Sequence, residues 1–320
     1  MTLDYQRPPL LFTAHLETIY PALLRRVKGV AYQRERIQTP DNDFLDLDWL
    51  RQGSERLIII SHGLEGNSSR AYMKGMAYAG YSKGFDILTW NFRGCSGEMN
   101  RQLRFYHSGA TDDLDWIVKH AIQRGYTEIY LIGFSLGGNL TLKYLGEQQP
   151  YPALKRAAVF SVPLDLHTSS IKISKPSNWV YSNRFLKSLK GKVIQKSHEI
   201  TGLDIKGIEK IKTLIQFDDH FTAPLHGYLN AIDYYTKCSS IHFLDAITIP
   251  TLLINAQNDP FLSDACYPVS QLKNHPFIEF ESPRYGGHVG FAQFNKNGLY
   301  WSEERALSFI TAQPIPSKNS

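Results

Sequence analysis

The chain has 320 residues, of which 42% are hydrophobic and 20% are charged. These proportions are typical of a globular protein and exclude a disordered, fibrous or collagen-like chain. A chain of this length buries enough surface to fold without disulfides or metals. The three cysteines, Cys95, Cys238 and Cys266, are far apart and form no CxxC motif. The sequence therefore predicts neither a disulfide framework nor a zinc site, and it favours a reducing compartment.

The hydrophobic pattern argues against a membrane-spanning or secreted protein. No apolar run approaches the ~18 residues that a membrane helix needs. Asp4 precedes the first basic residue, Arg7, and the apolar run at residues 10–12 is short, which is a poor match to a signal peptide. We therefore expect a soluble, cytoplasmic protein.

The net charge of +5 is unevenly distributed along the chain. Residues 155–212 contain 12 Lys and Arg against 4 Asp and Glu. A localised basic segment can favour an anionic surface such as a lipid surface. The lysines are interspersed with apolar residues, however, and this spacing is also typical of a solvated helical face. The sequence indicates no nucleic-acid partner and leaves the oligomeric state open.

In chain order, the first predicted elements are two strands at residues 30–38 and 44–51. The segment Asp41-Asn42-Asp43 between them is a turn signal, which predicts an antiparallel hairpin. In the second strand, apolar residues alternate with Asp46 and Asp48, so one buried face and one solvated face are expected.

The rest of the chain alternates strands with helices, the pattern of a mostly parallel sheet with helices on both faces. Strands are predicted at 57–61, 85–91, 128–134, 157–162, 251–255 and 277–280, and helices at 70–81, 111–124, 137–146 and 299–311. Pro163 is expected to end the strand before it. The tail from Gln313 is expected to fray.

The strand–helix alternation stops after residue 163. Residues 164–247 are predicted to form helices and loops, and a structureless loop beyond ~15 residues is uncommon in a compact domain. The sequence therefore predicts an α/β core over residues 1–163 and 248–320, interrupted by a helical cap insertion at 164–247.

Two Gly-x-Ser-x-Gly motifs occur, around Ser135 and around Ser82. A serine nucleophile needs a sharp strand-to-helix turn that raises its Oγ above the edge of the sheet. Residues 133–137 follow an apolar strand and begin a helix. Residues 80–84 lie between a helix and a strand, which is the opposite order. We therefore predict Ser135 as the nucleophile and assign Ser82 to a loop that ends a helix.

A serine nucleophile needs a base, and the base needs an acid that orients it. His288 follows the last predicted strand in a glycine-rich segment, where a loop can carry an imidazole over the sheet edge; His275 precedes that strand and is the runner-up. Asp259 directly follows the strand at 251–255. Asp264 is the alternative acid, although it resembles the first residue of a helical turn. The predicted triad is Ser135, Asp259 and His288.

An oxyanion hole requires two backbone N–H groups that converge on the carbonyl oxygen of the substrate. Leu136, the residue after the nucleophile, is predicted to supply one. The other is predicted to come from the loop after the strand at 57–61, with Leu64 as the donor and Glu65 as the fallback. His62 in this loop is expected to hold it by hydrogen bonding, and not to serve as the catalytic base.

Five longer segments resemble the YheT-like esterase family of the α/β-hydrolase fold. They are HLETIYP (15–21), HGLEGNS (62–68), NFRGCSG (91–97), GFSLGGN (133–139) and FDDHFTAP (217–224), and the resemblance covers roughly residues 8–312. It implies a Ser-Asp-His hydrolase that acts on acyl esters. Its eukaryotic relatives include lipases of monoacylglycerol and phospholipid and fungal acyltransferases that make fatty-acid ethyl esters. Relatives with an N-terminal membrane anchor differ from this chain.

The expected reaction is hydrolysis of a small-molecule acyl ester through an acyl-enzyme on Ser135, with the helical insertion forming an acyl pocket. Two alternatives stay open: transfer of the acyl group to an alcohol, and a non-catalytic ligand-binding protein of the same fold.

Two further patterns resemble functional sites. His107 and Asp112 fit the His-x4-Asp spacing of some acyltransferases, but Asp112 also suits a helix start. Asp218, Asp219 and His220 are adjacent in sequence, and adjacent side chains do not converge on one ion without further ligands. We expect no metal and no cofactor.

Overall fold

The computed structural model describes residues 4–312, so the predicted fraying after Gln313 and the outer ends of the predicted core segments lie outside the described residues. Eight strands form one sheet in the order β1-β2-β4-β3-β5-β6-β7-β8. The strands are β1 (Gln33–Gln38), β2 (Phe44–Leu50), β3 (Arg56–Ser61), β4 (Asp86–Asn91), β5 (Glu128–Phe134), β6 (Leu154–Phe160), β7 (Thr251–Ile254) and β8 (Ile278–Glu281). β2 runs antiparallel to both of its neighbours, and the other pairs are parallel.

Helices cover both faces of this sheet, because its central strands are apolar on both sides. Leu57 and Ile59 of β3 belong to one buried cluster, and Ile58 and Ile60 belong to another. The helices are α1 (Ala14–Leu24), α2 (Ala71–Ser82), α3 (Thr111–Gln123), α4 (Leu136–Glu147), α5 (Leu166–Ile173), α6 (Trp179–Glu199), α7 (Leu214–Phe217), α8 (Ala223–Leu225), α9 (Ala231–Cys238), α10 (Val269–Leu272) and α11 (Trp301–Ile310). The predicted α/β-hydrolase architecture is confirmed.

The expected solvated face of β2 is wrong. Asp46 and Asp48 are buried together with the apolar residues of the strand. They lie directly opposite Arg36 and Arg34 of β1, and each aspartate accepts two hydrogen bonds from its arginine. Alternation of polar and apolar residues indicated two different faces, but it could not show that β1 supplies a cation for each carboxylate.

The N-terminal helix α1 was not predicted. Thr13 caps it by accepting a hydrogen bond from the Leu16 N–H, and Pro21 lies inside it. Proline lacks an N–H donor and is uncommon in a helix interior, so the sequence carries a signal against a helix here. Packing of α1 against the rest of the chain nevertheless buries Glu17, Thr18 and Pro21.

Between β6 and β7, the described chain contains helices and loops and no strand. We call residues 164–247 the helical region. It has its own apolar cluster, which includes Ile173, Leu186, Val193 and Phe217. α7 and α8 are joined by a π-helical turn, Asp218–Thr222. Within residues 4–312, every helix is too short or too polar to traverse a lipid bilayer.

Candidate active site

Ser135 lies at the sharp turn between β5 and α4. Its backbone has φ 52° and ψ −119°, a conformation that is costly for a residue with a side chain. The turn is tight because a Cβ on Gly133 would lie 2.6 Å from the Gly137 carbonyl oxygen, and one on Gly137 would lie 2.5 Å from the His62 carbonyl oxygen. Glycine at both positions therefore lets β5, α4 and the loop after β3 meet closely around Ser135.

The structure brings Ser135, His288 and Asp259 together in a hydrogen-bonded chain. His288 Nε2 lies 2.9 Å from Ser135 Oγ, and His288 Nδ1 lies 2.9 Å from Asp259 Oδ2. Asp259 is only 4% exposed and also accepts a hydrogen bond from the Phe261 N–H. This is the arrangement in which an imidazole can take a proton from a serine while a carboxylate orients it.

The alternative residues are used differently. Asp264 begins the short 3-10 turn Asp264–Cys266. His275 Nδ1 accepts hydrogen bonds from the backbone N–H groups of Phe277 and Ile278, just before β8. Ser82 is the last residue of α2.

Helix α1 holds the loops that carry Asp259 and His288. Glu17 accepts hydrogen bonds from the Asn258 side chain at 2.5 Å and from the Gly286 N–H at 3.0 Å, and burial raises its pKa. The hydroxyl of Thr18 accepts a hydrogen bond from the His288 N–H at 2.9 Å. These two residues were missed as site residues. The only signal was their place in the HLETIYP segment, which carried the family resemblance but no stated role.

Among residues 63–65 of the loop after β3, one backbone N–H group has no acceptor in the described chain. The Gly63 N–H donates to the Tyr72 hydroxyl and the Glu65 N–H donates to the Tyr106 hydroxyl, each at 3.0 Å. The Leu64 N–H has no acceptor among residues 4–312, and neither does the Leu136 N–H at the start of α4. Both residues line the cavity that contains Ser135.

His62 holds this loop in place through two hydrogen bonds. It is fully buried, its Nε2 accepts a hydrogen bond from the Phe92 N–H, and its Nδ1 donates to the Gly63 carbonyl oxygen at 2.7 Å. Burial lowers the pKa of His62 to about 3, so the imidazole is neutral. A neutral ring with one donor and one acceptor satisfies both hydrogen bonds.

An ion pair connects the same loop to the helical region. The Glu65 carboxylate accepts hydrogen bonds from Lys192 Nζ of α6 at 2.8 Å and from the Tyr106 hydroxyl at 2.7 Å. The Ser188 hydroxyl, one turn earlier on α6, also donates to Glu65. Movement of α6 would therefore disturb the segment that contains Leu64.

Two cavities meet at Ser135 and His288. The first cavity extends into the helical region and is mainly apolar, with Leu136, Phe185, Phe217, Phe221 and Leu225 in its wall. The second cavity opens between α1, α2 and the start of α6. Ser135 is therefore reached from two cavities.

The two remaining sequence patterns do not form separate centres. Asp112 pairs with Arg104, whereas His107 is buried and its ring packs at a tilt against that of His226. Asp218 accepts hydrogen bonds from the Thr222 and Tyr235 hydroxyls. Across residues 4–312, no three potential metal-binding side chains of His, Cys, Asp or Glu come together.

The chain is similar in sequence to several known proteins. The sequence pattern of the alpha/beta hydrolase fold matches residues 56–293. The chain is 36% identical to the Escherichia coli (strain K12) protein named "Putative esterase YheT", over 93% of this chain and 90% of that protein. It is 31% identical to "Phospholipase ABHD3" of Bos taurus, over 82% of this chain and 67% of that protein. Identity to the "Monoacylglycerol lipase" of Saccharomyces cerevisiae is 28%, over 88% and 64% of the two chains.

Solved structures support the fold. The Pyrococcus furiosus esterase Pf2001 superposes with a TM-score of 0.57, covering 89% of this chain and 99% of that one at 17% identity. The structure of DcsB in complex with its substrate analogue also has a TM-score of 0.57, at 14% identity.

Proposed function

Because the chain belongs to the α/β-hydrolase fold family and resembles its YheT-like esterases, we propose that it hydrolyses carboxylic esters with Ser135, His288 and Asp259 as its catalytic residues. The observation that carries this proposal is the unbroken hydrogen-bond chain from Ser135 Oγ through the His288 ring to the Asp259 carboxylate.

In the proposed mechanism, Ser135 Oγ attacks the ester carbonyl carbon while His288 Nε2 accepts the hydroxyl proton. Asp259 orients the imidazole and stabilises its protonated form. The Leu64 and Leu136 N–H groups donate to the oxyanion, which is supported by their lack of acceptors within the described chain. His288 then protonates the leaving alcohol, and a water molecule that His288 activates releases the acid from Ser135.

We further propose that the helical region is a cap over the core and that its cavity holds the acyl chain. The first cavity is apolar and reaches from Ser135 to the aromatic side chains of Phe217 and Phe221. Transfer of an acyl chain from water into such a space is favourable.

Labelling with a fluorophosphonate probe tests the assignment of Ser135. We expect the probe to label the wild-type protein and Ser82→Ala, and not Ser135→Ala. Ser135→Ala should also lower kcat for nitrophenyl esters by about 10⁴–10⁶-fold, the loss typical of a triad nucleophile, with unchanged circular dichroism. Labelling of Ser135→Ala, or its retention of more than about a tenth of the wild-type rate, would contradict the proposal. A panel of esters from acetate to palmitate would then define the chain length.

Transfer to an alcohol is the second candidate reaction. The chain is 27% identical to the "Medium-chain fatty acid ethyl ester synthase/esterase 2" of Saccharomyces cerevisiae. Product analysis in the presence of ethanol separates the two reactions: hydrolysis gives free acid, whereas acyl transfer gives ethyl ester in proportion to the ethanol concentration.

We also propose peripheral contact with an anionic lipid surface beside the second cavity. Leu23 of α1 and Val180 of α6 line this cavity, and their chain neighbours Leu24 and Trp179 are each 64% exposed. Arg26 is exposed nearby in sequence. The predicted basic segment, residues 155–212, contributes only part of its charge to this surface, because Lys196 is fully buried and Lys192 pairs with Glu65.

Cys95, Cys238 and Cys266 are free and buried, which suits the predicted cytoplasmic location.

A further inference from the structure

The two cavities at Ser135 differ in charge. Among the described residues, the charged groups that line the first cavity beside the catalytic histidine are Lys192 and Asp218. Lys192 is neutralised by Glu65, and Asp218 is held by two hydroxyl groups. No arginine lines this cavity. The charged groups that line the second cavity are three arginines, Arg25, Arg70 and Arg184, and the carboxylate of Glu65.

Only one of the three arginines has an acidic partner. Arg25 donates to both carboxylate oxygens of Glu303, at 2.5 and 2.9 Å, and its guanidinium lies over the Tyr300 ring. Arg70 is exposed and donates to the Glu65 carbonyl oxygen at 3.0 Å. Arg184 is exposed and makes no hydrogen bond or ion pair within residues 4–312. The second cavity therefore has two guanidinium groups without a carboxylate partner, and its one lining carboxylate, Glu65, pairs with Lys192.

We infer that the second cavity binds the alcohol portion of the substrate, that this portion carries a phosphate group, and that Arg70 and Arg184 select it. The inference rests on the proposed ester hydrolysis at Ser135. Guanidinium groups bind phosphate oxygens through paired, charge-assisted hydrogen bonds, and arginine stays protonated at all physiological pH values. The apolar first cavity offers no comparable group and suits the acyl chain.

The bond changes follow from this placement. Ser135 Oγ forms a bond to the acyl carbon, and the bond from that carbon to the alcohol oxygen breaks. His288 gives the proton taken from Ser135 to that oxygen. The leaving group is therefore an alcohol with a neutral hydroxyl, and it departs with its phosphate through the second cavity. Water then cleaves the acyl-enzyme to the free acid.

Two soluble substrates with the same medium-length acyl chain test the inference, 1-acylglycerol and 1-acylglycerol 3-phosphate. The measured quantity is the ratio of their kcat/KM values. We expect the wild-type protein to prefer the phosphate-bearing ester about tenfold or more, and Arg184→Gln and Arg70→Gln each to reduce this preference about 5–20-fold, as the loss of a charge-assisted hydrogen bond does. Arg184→Lys should keep part of the preference.

Lys187→Gln is the matched control, because Lys187 is an exposed cation on α6 that does not line the second cavity. We expect it to leave the ratio unchanged. An equal fall of the ratio in Lys187→Gln would show general attraction by surface charge and would overturn the inference. Equal kcat/KM values of the wild-type protein for the two substrates would also overturn the inference. An unchanged ratio in the Arg70→Gln/Arg184→Gln double variant would overturn it as well.

A measurement on the wild-type protein needs no variant. We expect glycerol 3-phosphate to inhibit hydrolysis of an uncharged nitrophenyl ester competitively, and glycerol not to inhibit at the same concentration. Equal inhibition by inorganic phosphate and glycerol 3-phosphate would indicate a site for free phosphate, and no inhibition by either would indicate no anion site; both results overturn the inference. Neither result affects the proposed function, which fails only if the uncharged ester is not hydrolysed or Ser135 is not labelled.

Discussion

Asp259 and Asp264 follow the same strand, β7, but only Asp259 contacts His288. We expect Asp259→Asn to lower kcat by roughly 10⁴-fold, because an amide favours the wrong imidazole tautomer, with little change in Tm. Asp264→Asn should leave kcat near normal and cost a few tenths to about 1 kcal/mol of stability at a helical N-terminus. Steady-state kinetics and thermal denaturation of both variants check this. The reverse pattern would reassign the acid to Asp264.

Thr18 positions His288 without touching the reacting atoms. Thr18→Val keeps the shape of the side chain but leaves the His288 N–H without its acceptor. We expect kcat to fall about 10–100-fold with a smaller change in KM, because small displacements of a catalytic group are costly. Thr18→Ser retains the hydroxyl and should restore most of kcat. A loss in Thr18→Ser equal to that in Thr18→Val would rule out this positioning role.

The sequence could predict the three residues of the proposed triad, but it could not predict the residues of α1 that hold their loops. The glycines around Ser135 indicate a tight turn, and Asp259 and His288 lie in the loops that follow β7 and β8, so each residue could be proposed from its sequence neighbours. Glu17 and Thr18 lie 241 and 270 residues from their partners Asn258 and His288. No periodicity or motif spacing encodes such a contact.

At the scale of elements, the π-helical turn Asp218–Thr222 carries a titratable group. Burial raises the pKa of Asp218 to about 6, against an ordinary value near 3.8. Between these values the folded state binds more protons than the unfolded state, so this residue's contribution to stability falls as pH rises from about 4 to 6.

Asp218→Asn removes this titration. We expect the Tm of Asp218→Asn, relative to that of the wild type, to rise as pH increases from about 4 to 7. Asp219→Asn is the control, since Asp219 is exposed and accepts its hydrogen bond from the Ala231 N–H, outside the hydrogen bonds of Asp218. Parallel Tm profiles of the wild type and Asp218→Asn across this range would contradict the prediction.

Among the elements, the strands and core helices agreed with prediction within a few residues because their apolar periods are regular. β6 begins at Leu154, three residues before the predicted start, where Lys155 and Arg156 interrupt the apolar run. Helix α1 was missed because Pro21 disfavours a helix locally. The buried aspartates of β2 were misjudged because their arginine partners lie on the neighbouring strand.

At the scale of the whole molecule, the apolar surface beside the second cavity predicts a difference between soluble and aggregated substrates. We expect Trp179→Gln to lower hydrolysis of an ester presented in anionic vesicles several-fold, because the indole would no longer bury itself in the lipid interface. Its rate on a soluble short-chain nitrophenyl ester should stay within about twofold of the wild type.

Leu229→Gln is the control for Trp179→Gln. Leu229 is 88% exposed, more than Trp179, and it lies just before α9 and does not line the second cavity. Vesicle sedimentation with both variants checks binding directly. An equal loss in Leu229→Gln, or no loss in Trp179→Gln, would contradict contact through this surface.

The contacts of α1 also determine when the site can form during synthesis of the protein on the ribosome. Helix α1 leaves the ribosome early, but its partners are synthesised much later. Asn258 follows Glu17 by 241 residues, and Glu303 follows Arg25 by 278 residues. Nascent chains that stop before residue 258 lack both Asn258 and His288, and of the groups that bond the Glu17 carboxylate they contain only the Tyr5 hydroxyl. In the proposed mechanism Ser135 reacts only together with His288, so we expect a growing chain to hydrolyse esters only after almost all of it has been translated.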